Sequence, residues 1–306
     1  MSAAIGGHLA ALLARDEFVV TGEIVPPVDA SISMVTEHAV ALVGSVDAVN
    51  LTDNLTATPH MSPVAAVAAT VAAGIEPTIQ LTVRDRNRLA LTSDLLGAWA
   101  LGARNLFCLS GDPIHVGDHP GTAVVADLDV HQLIGLAKGM REDGTTLAGV
   151  DLADPPRFLV GVADLPLADP YDPTRLEGKL DAGADFVMTQ IVYEAEPLAG
   201  WADLMRDRGL FERASVIPGV MPLRSAKQGR FLNDRLPGVS VPAAMIDALE
   251  AAGDDAPVVG LELAISLVEE LRRIRGIAGI HVMAMGHDEA TRALIARSGL
   301  FPRPTG

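Results

Sequence analysis

The sequence predicts an α/β protein built as a single (β/α)8 barrel of the TIM type, and three observations carry that reading. Eight short β-branched runs recur along the chain, each followed by a longer Ala- and Leu-rich stretch of helical spacing. The short runs are apolar throughout rather than alternating, which is the pattern of parallel strands buried on both faces beneath helices. The length of 306 residues suits one barrel, since this fold commonly needs about 250 residues as a unit. An open doubly wound sheet is the competitor. It would ordinarily carry a glycine-rich dinucleotide loop after its first strand, and no G-x-G-x-x-G, G-x-x-x-x-G-K-[ST] or G-x-S-x-G occurs.

Taken in order, the predicted strands are 18–25, 46–51, 78–83, 105–109, 158–163, 186–191, 215–218 and 279–283. The first is stopped by Pro26-Pro27, which cannot continue a ladder. The second runs into the polar cluster Asn50-Leu51-Thr52-Asp53-Asn54 and the third into Arg84-Asp85-Arg86-Asn87, whose charges suit the start of a helix. The fourth ends in Ser110-Gly111-Asp112-Pro113, the sixth in Met188-Thr189-Gln190, and the seventh in the rigid Ile217-Pro218-Gly219-Val220-Met221-Pro222. Helices are expected at 34–43, 63–73, 87–101, 128–140, 174–182, 197–208, 225–236 and 288–298. Two extra helices, 241–252 and 257–275, fall before the last strand. No linker, repeat or low-complexity segment divides the chain, so one domain over 1–306 is expected.

Lys and Arg number 23 against 39 Asp and Glu, a net charge of −16. Such a chain is a poor polyanion binder, and the longest cationic run is the Arg272-Arg273 pair, so nucleic acid and anionic membranes are excluded as partners. Residues 1–13 lack the basic start of a secretory signal, and the apolar stretch 64–75 falls short of the roughly 20 residues of a membrane helix. A cytoplasmic location is expected. The one cysteine, Cys108, excludes an intrachain disulfide and reads as an inert small hydrophobe in an apolar strand.

In a barrel, chemistry gathers where strands end and the following loops begin. Glu23 is a carboxylate among apolar neighbours, an environment that disfavours its charge and suits a general acid; an edge-facing or salt-bridged Glu is the equal alternative. Asp53 and Asn54 either meet a ligand or make a turn. Gly111, between Ser110 and Asp112, allows close backbone approach to a ligand, with a plain Ser-Gly-Asp-Pro turn as the bland alternative. Gln190 can both donate and accept at a heterocycle edge. Asp112, His115, Asp118 and His119 mix metal-ligand types in one loop, but Pro113, Gly117, Pro120 and Gly121 mark that loop as solvent-exposed, and no metal is expected.

These residues bring a family into view. Gly22-Glu23 with Pro26-Pro27, Val49 to Asn54, Leu81 to Asn87, Ser110 to Pro113, Lys179 to Phe186 with Thr189-Gln190, and Ile217-Pro218-Gly219 stand in the order found in methylenetetrahydrofolate reductases. The chain most resembles the reductase module that some bacteria fuse to a homocysteine methyltransferase. The resemblance implies a barrel that holds FAD, with NADH or NADPH and a folate using the same flavin face in turn, and that converts 5,10-methylenetetrahydrofolate to 5-methyltetrahydrofolate. It makes Glu23 the acid that opens the folate ring and places Asp112 against pterin and flavin. Gln190 and Gln228 would bind folate, with His287 where an Arg meets the folate tail. Thr52, Asp53, Gln80, Ser110, Gly111, Asp112, Asp172 and Lys179 would contact the cofactor. Asp53, Gln80, Ser110, Ala163, Leu167 and Gly178 stand where well-studied members carry aromatic, His or Arg residues, so weaker FAD binding is expected. Two rivals remain: a flavin-independent or deazaflavin-linked reductase of the same folate, and a non-catalytic folate-binding or complex-forming subunit. Either the reductase or the subunit is compatible with a homo-oligomer or a complex with another one-carbon enzyme.

Overall fold

The computed structural model describes residues 5–125 and 127–304; the ends of the 1–306 domain and the opening of the 1–13 stretch lie outside them. Eight parallel strands close in sequence order: β1 Val19–Ile24, β2 Ala48–Leu51, β3 Glu76–Thr82, β4 Asn105–Leu109, β5 Leu159–Asp164, β6 Phe186–Ile191, β7 Ser215–Val220 and β8 Gly279–Val282. The closure is a β1–β8 pairing that sets Thr21 beside His281. Around the barrel lie α1 His8–Leu13, α2 Ile32–Leu42, α3 Pro63–Ala72, α4 Arg88–Ala100, α5 Val130–Glu142, α6 Pro173–Ala182, α7 Ala195–Asp207, α8 Ala226–Arg235, α9 Ala243–Ala252, α10 Ala256–Leu271 and α11 Asp288–Arg297. The predicted barrel and its two extra helices, α9 and α10, are present.

The N-terminal end of the barrel is built for stability. Leu9 and Leu12 of α1 are fully buried and plug it, packing with Val19, Ala48, Phe107, Leu159, Phe186 and Ile217. Phe186 fills the interior because β5 supplies Gly161, where a Cβ would run into the Phe186 ring. Three carboxylates staple this end. Glu76 accepts from the backbone amides of His8 (2.5 Å) and Leu9 (3.0 Å) at the start of α1. Asp47 accepts from the Val20 amide at 2.7 Å and pairs with Arg303 at 2.8 Å. Asp185 accepts from the Val160 amide at 2.8 Å and pairs with Arg141 at 2.5 Å. Each is bonded to backbone and, for the latter two, to an arginine, which is how a buried carboxylate offsets its lost hydration. The opposite, C-terminal end of the strands is left for chemistry.

Candidate active site

Glu23 sits near the C-terminal end of β1, in register with Asn50 on β2. Its side chain is 11% exposed, and the nearest titratable neighbour is His281 on β8, with Nε2 4.0 Å from a Glu23 oxygen. Burial pushes the Glu23 carboxyl up from 4.5 to about 7 and pushes His281 down to about 4. At neutral pH the imidazole is therefore uncharged and cannot hold Glu23 ionised. Its Nδ1 is tied to Thr21 Oγ1 at 2.9 Å. No Lys or Arg pairs with Glu23 among the described residues, so the salt-bridged alternative gives way to a carboxyl that keeps its proton near neutrality.

From β2, Thr52 is buried with its Oγ1 lacking a protein partner among the described residues. Asp53 is fully engaged: Arg86 donates to both carboxylate oxygens at 2.6 and 2.9 Å, and Thr82 donates its amide (2.8 Å) and hydroxyl (3.0 Å). Gln80 of β3 is buried and faces the cavity described below. After β4 the chain turns at Gly111 with φ +87°, where a Cβ would come within 2.9 Å of Arg84 Cβ; only glycine passes here without strain. Asp112 is exposed, and one carboxylate oxygen accepts from the Thr56 amide at 2.8 Å.

Asp172 caps α6, accepting from the Thr174 amide (3.0 Å) and hydroxyl (2.6 Å). Those bonds hold its carboxyl below the usual range. Lys179 lies further along the same helix and donates to the Ala163 carbonyl at 2.5 Å; burial lowers its pKa, opposed by the nearby Asp164. Asp164 in turn is raised by burial and accepts from the Tyr171 hydroxyl at 2.9 Å. A cavity of about 940 Å³ opens over β3 to β5 and the start of α6, lined in part by Gln80, Ser110, Asp112, Tyr171, Arg175 and Lys179.

The residues expected to bind folate lie on a different arc of the barrel mouth. A register shift between Met188 and Ile191 places Gln190 in a β-bulge, a device that re-aims a side chain beside a site. Its Oε1 accepts from the Ile191 amide at 3.0 Å. Gln228, in the first turn of α8, accepts from the Arg224 amide at 2.8 Å. His287 is exposed and bonded through Nδ1 to the Arg224 guanidinium. The expected residues therefore form two groups: Thr52, Asp53, Gln80, Ser110, Gly111, Asp112, Asp172 and Lys179 on the β2–β6 side, and Gln190, Gln228 and His287 at β6 to β8. Glu23, on β1, stands where the two arcs meet.

Four residues of this mouth were not singled out from sequence. Arg175 lines the cavity, three residues after Asp172 and four before Lys179, a helical spacing that would have found it. Tyr171 and Asp164 meet across a loop, and His281 reaches Thr21 only through barrel closure, so neither contact has a local signal. In the 112–119 loop, His119 bonds only its neighbour Asp118 at 2.7 Å. Among the described residues no three His, Cys, Asp or Glu side chains converge as a metal set.

The residues present fit a dinucleotide. The volume lies within the usual range for ligand sites, the Arg175 guanidinium has no protein partner among the described residues, and Gly111, Ser110 and Gln80 offer backbone and polar edges. The wall carries the phenol ring of Tyr171 and the exposed imidazole of His131, with no Phe or Trp among its described residues.

Comparison with known proteins follows the same lines. A protein-family model described as methylenetetrahydrofolate reductase matches residues 8–299. Methylenetetrahydrofolate reductase 1 of Schizosaccharomyces pombe is 26% identical over 238 residues, 74% of this chain and 36% of that protein. The 5,10-methylenetetrahydrofolate reductase of Salmonella typhimurium is 27% identical over 238 residues, 75% of this chain and 72% of its own length. The chain thus spans about a third of the length of the fission-yeast relative. Among solved structures, an uncharacterized protein from Clostridium thermocellum that binds two copies of 5-methyl-5,6,7,8-tetrahydrofolic acid matches with a TM-score of 0.65 at 16% identity, covering 94% of this chain and 95% of that one. At that identity the likeness shows the fold alone. None of the described helices is long and apolar enough to cross a membrane. The family match begins at the first residue of α1 and ends just beyond α11, taking in every strand and every loop of the mouth, and this chain belongs to the methylenetetrahydrofolate reductase family.

Proposed function

We propose that this chain reduces 5,10-methylenetetrahydrofolate to 5-methyltetrahydrofolate, with NADH or NADPH as the source of hydride. The observation that supports this most is Glu23: a buried carboxyl at a barrel mouth, without a cation beside it, that holds its proton to about pH 7. Hydride transfer to the methylene carbon needs such an acid. Protonation of a folate nitrogen breaks its bond to the bridging methylene, opening the five-membered ring to an iminium. The methylene carbon then accepts the hydride and becomes a methyl group. The proton lost by Glu23 and the hydride together balance the two-electron reduction. Asp112 sets a negative charge beside the developing cation, with one oxygen fixed by the Thr56 amide. Gln190 and Gln228 present amides to the pterin edge, and Arg224 with His287 meets the acidic tail of the substrate.

Thr52, Gln80, Ser110, Gly111, Asp172, Arg175 and Lys179 would hold FAD, while Asp53 keeps Arg86 and the end of β3 in place beneath it. Bound there, FAD would supply a two-electron carrier between nicotinamide and folate. A second reading, direct transfer from nicotinamide with no flavin, is favoured by a specific observation: among the described residues the cavity wall has no Phe or Trp, and beside Tyr171, whose hydroxyl is committed to Asp164, only the small imidazole of His131 could stack on a flavin.

The test is product formation. Purified protein given methylenetetrahydrofolate and NADH or NADPH should form 5-methyltetrahydrofolate. If it is only partly yellow as isolated and gains rate with added FAD, the flavin reading stands. If added FAD neither binds nor changes the rate, the direct-transfer reading replaces it. No product under any condition, with folate still bound, would leave only a folate-binding subunit.

A further inference from the structure

The loop after β2 is strained, and the restraints on it converge on one buried arginine. Within four residues, Asn54, Thr56 and Ala57 all have positive φ, at 47°, 53° and 55°. None is glycine, and such a segment persists only where its surroundings over-determine it. Here they do. Arg84, on the loop after β3, is almost fully buried. Its guanidinium donates to both oxygens of Asp85 at 2.7 Å, to the Asp112 carbonyl at 2.9 Å and to the Asn54 carbonyl at 3.3 Å. Asp85, held below the usual carboxylate range by that bond to Arg84 against the opposing effect of burial, also accepts from the Asn54 amide group at 3.1 Å. Gly111 lies flat against the Arg84 side chain, and Asp112 closes the circuit by accepting the Thr56 amide at 2.8 Å.

We propose that Arg84 is a positioning residue for the reaction: it locks the loops after β2, β3 and β4 together and so sets where the Asp112 carboxylate stands. The inference rests on the role given to Asp112 under Proposed function. The guanidinium holds the Asp112 backbone, the strained loop holds one carboxylate oxygen, and the second oxygen is thereby aimed. Lysine cannot replace it, because a point charge with one nitrogen cannot reach Asp85, Asn54 and Asp112 in one plane.

The test is a double-mutant cycle with Asp112→Asn, reading kcat and KM for folate, with the melting temperature of each variant alongside. Arg84→Met should lower kcat by about tenfold to a hundredfold, the scale of an ångström-level misplacement, and by less than about twofold once Asp112 is already Asn, since coupled residues are not additive. Arg84→Lys, which keeps the charge and guards against loss of folding in the methionine variant, should restore the melting temperature without restoring kcat. Full rescue of kcat by lysine would make Arg84 merely structural and overturn the proposal. So would equal losses in both backgrounds, or a wild-type kcat in Arg84→Met while Asp112→Asn is impaired; either leaves the Asp112 assignment standing. A wild-type rate in Asp112→Asn would overturn both.

Discussion

Glu23 and Asp53 are both carboxylates at strand ends, and their surroundings give them opposite fates. Glu23 has burial and no cation, so its proton is retained; Asp53 is buried against Arg86, whose guanidinium donates to both of its oxygens. The apolar neighbours of Glu23 were visible in sequence, and with them the general-acid reading. The Asp53–Arg86 pairing spans 33 residues and two strands, so the sequence left Asp53 as either ligand contact or turn. Two expectations separate these roles. A carboxyl that titrates at about 7 when folded and 4.5 when unfolded contributes stability that is complete below the unfolded value and is lost as pH rises through the folded one. Glu23→Gln, which cannot ionise, should therefore gain stability relative to wild type between pH 4.5 and 7, by up to about 3 kcal/mol. Chemical denaturation at pH 5 and pH 8 measures this difference, and an equal offset at both would show that Glu23 ionises freely in the fold. Asp53→Ala leaves Arg86 with Asp94 alone, at 2.8 Å, and frees the Thr82 donors, so it should cost about 1–3 kcal/mol by the same measurement; a loss below about 0.5 kcal/mol would place Asp53 with the ligand contacts instead.

At the scale of elements, β4 and β6 coincide with their expected spans because a polar or glycine-bearing segment bounds each apolar run. The sequence began the third strand at 78, yet β3 starts at Glu76 and runs through Pro77, at the second strand position. Likewise the expected 215–218 stopped at a proline, while β7 continues through Pro218 and Gly219 to Val220. Barrel closure overrides these local breakers, since hydrogen bonding on both sides and the packed interior decide the span. The helix α1 was not foreseen at all. Six residues are too short for a periodic signal, and its amides are capped by a carboxylate 67 and 68 residues away. Its buried leucines make it a plug rather than an ornament. Leu12→Ala should cost about 2–5 kcal/mol of stability while KM for folate stays unchanged, because the plug lies at the end of the barrel away from the mouth. A shift in KM without a stability loss would contradict that division.

Across the whole molecule, stapling carboxylates stand at both ends of the barrel, with Asp53 and Asp85 paired to arginines at the mouth, but acids without a cation stand at the mouth. Asp47, Glu76 and Asp185 staple the N-terminal end through backbone amides and, at Asp47 and Asp185, arginines, while Glu23 and Asp112 at the mouth lack any cation partner among the described residues. The barrel itself was legible because eight apolar runs and their helices repeat with little interruption. The division of the mouth into a cavity over β3 to β5 and a separate polar arc at β6 to β8 was not, since it depends on the β6 bulge and on which loops fold over which strands.

Everything proposed for the mouth turns on a proton held by Glu23, and the rate of 5-methyltetrahydrofolate formation against pH, in wild type and Glu23→Gln, tests it most directly. With NADH or NADPH and FAD both saturating, the wild-type rate should be level at acid pH and fall about tenfold per pH unit above about 7 as the acid is lost, while Glu23→Gln should be slower by about 10² or more and lack that descending limb. A Glu23→Gln enzyme that keeps the wild-type rate and the same decline above neutrality would contradict the account.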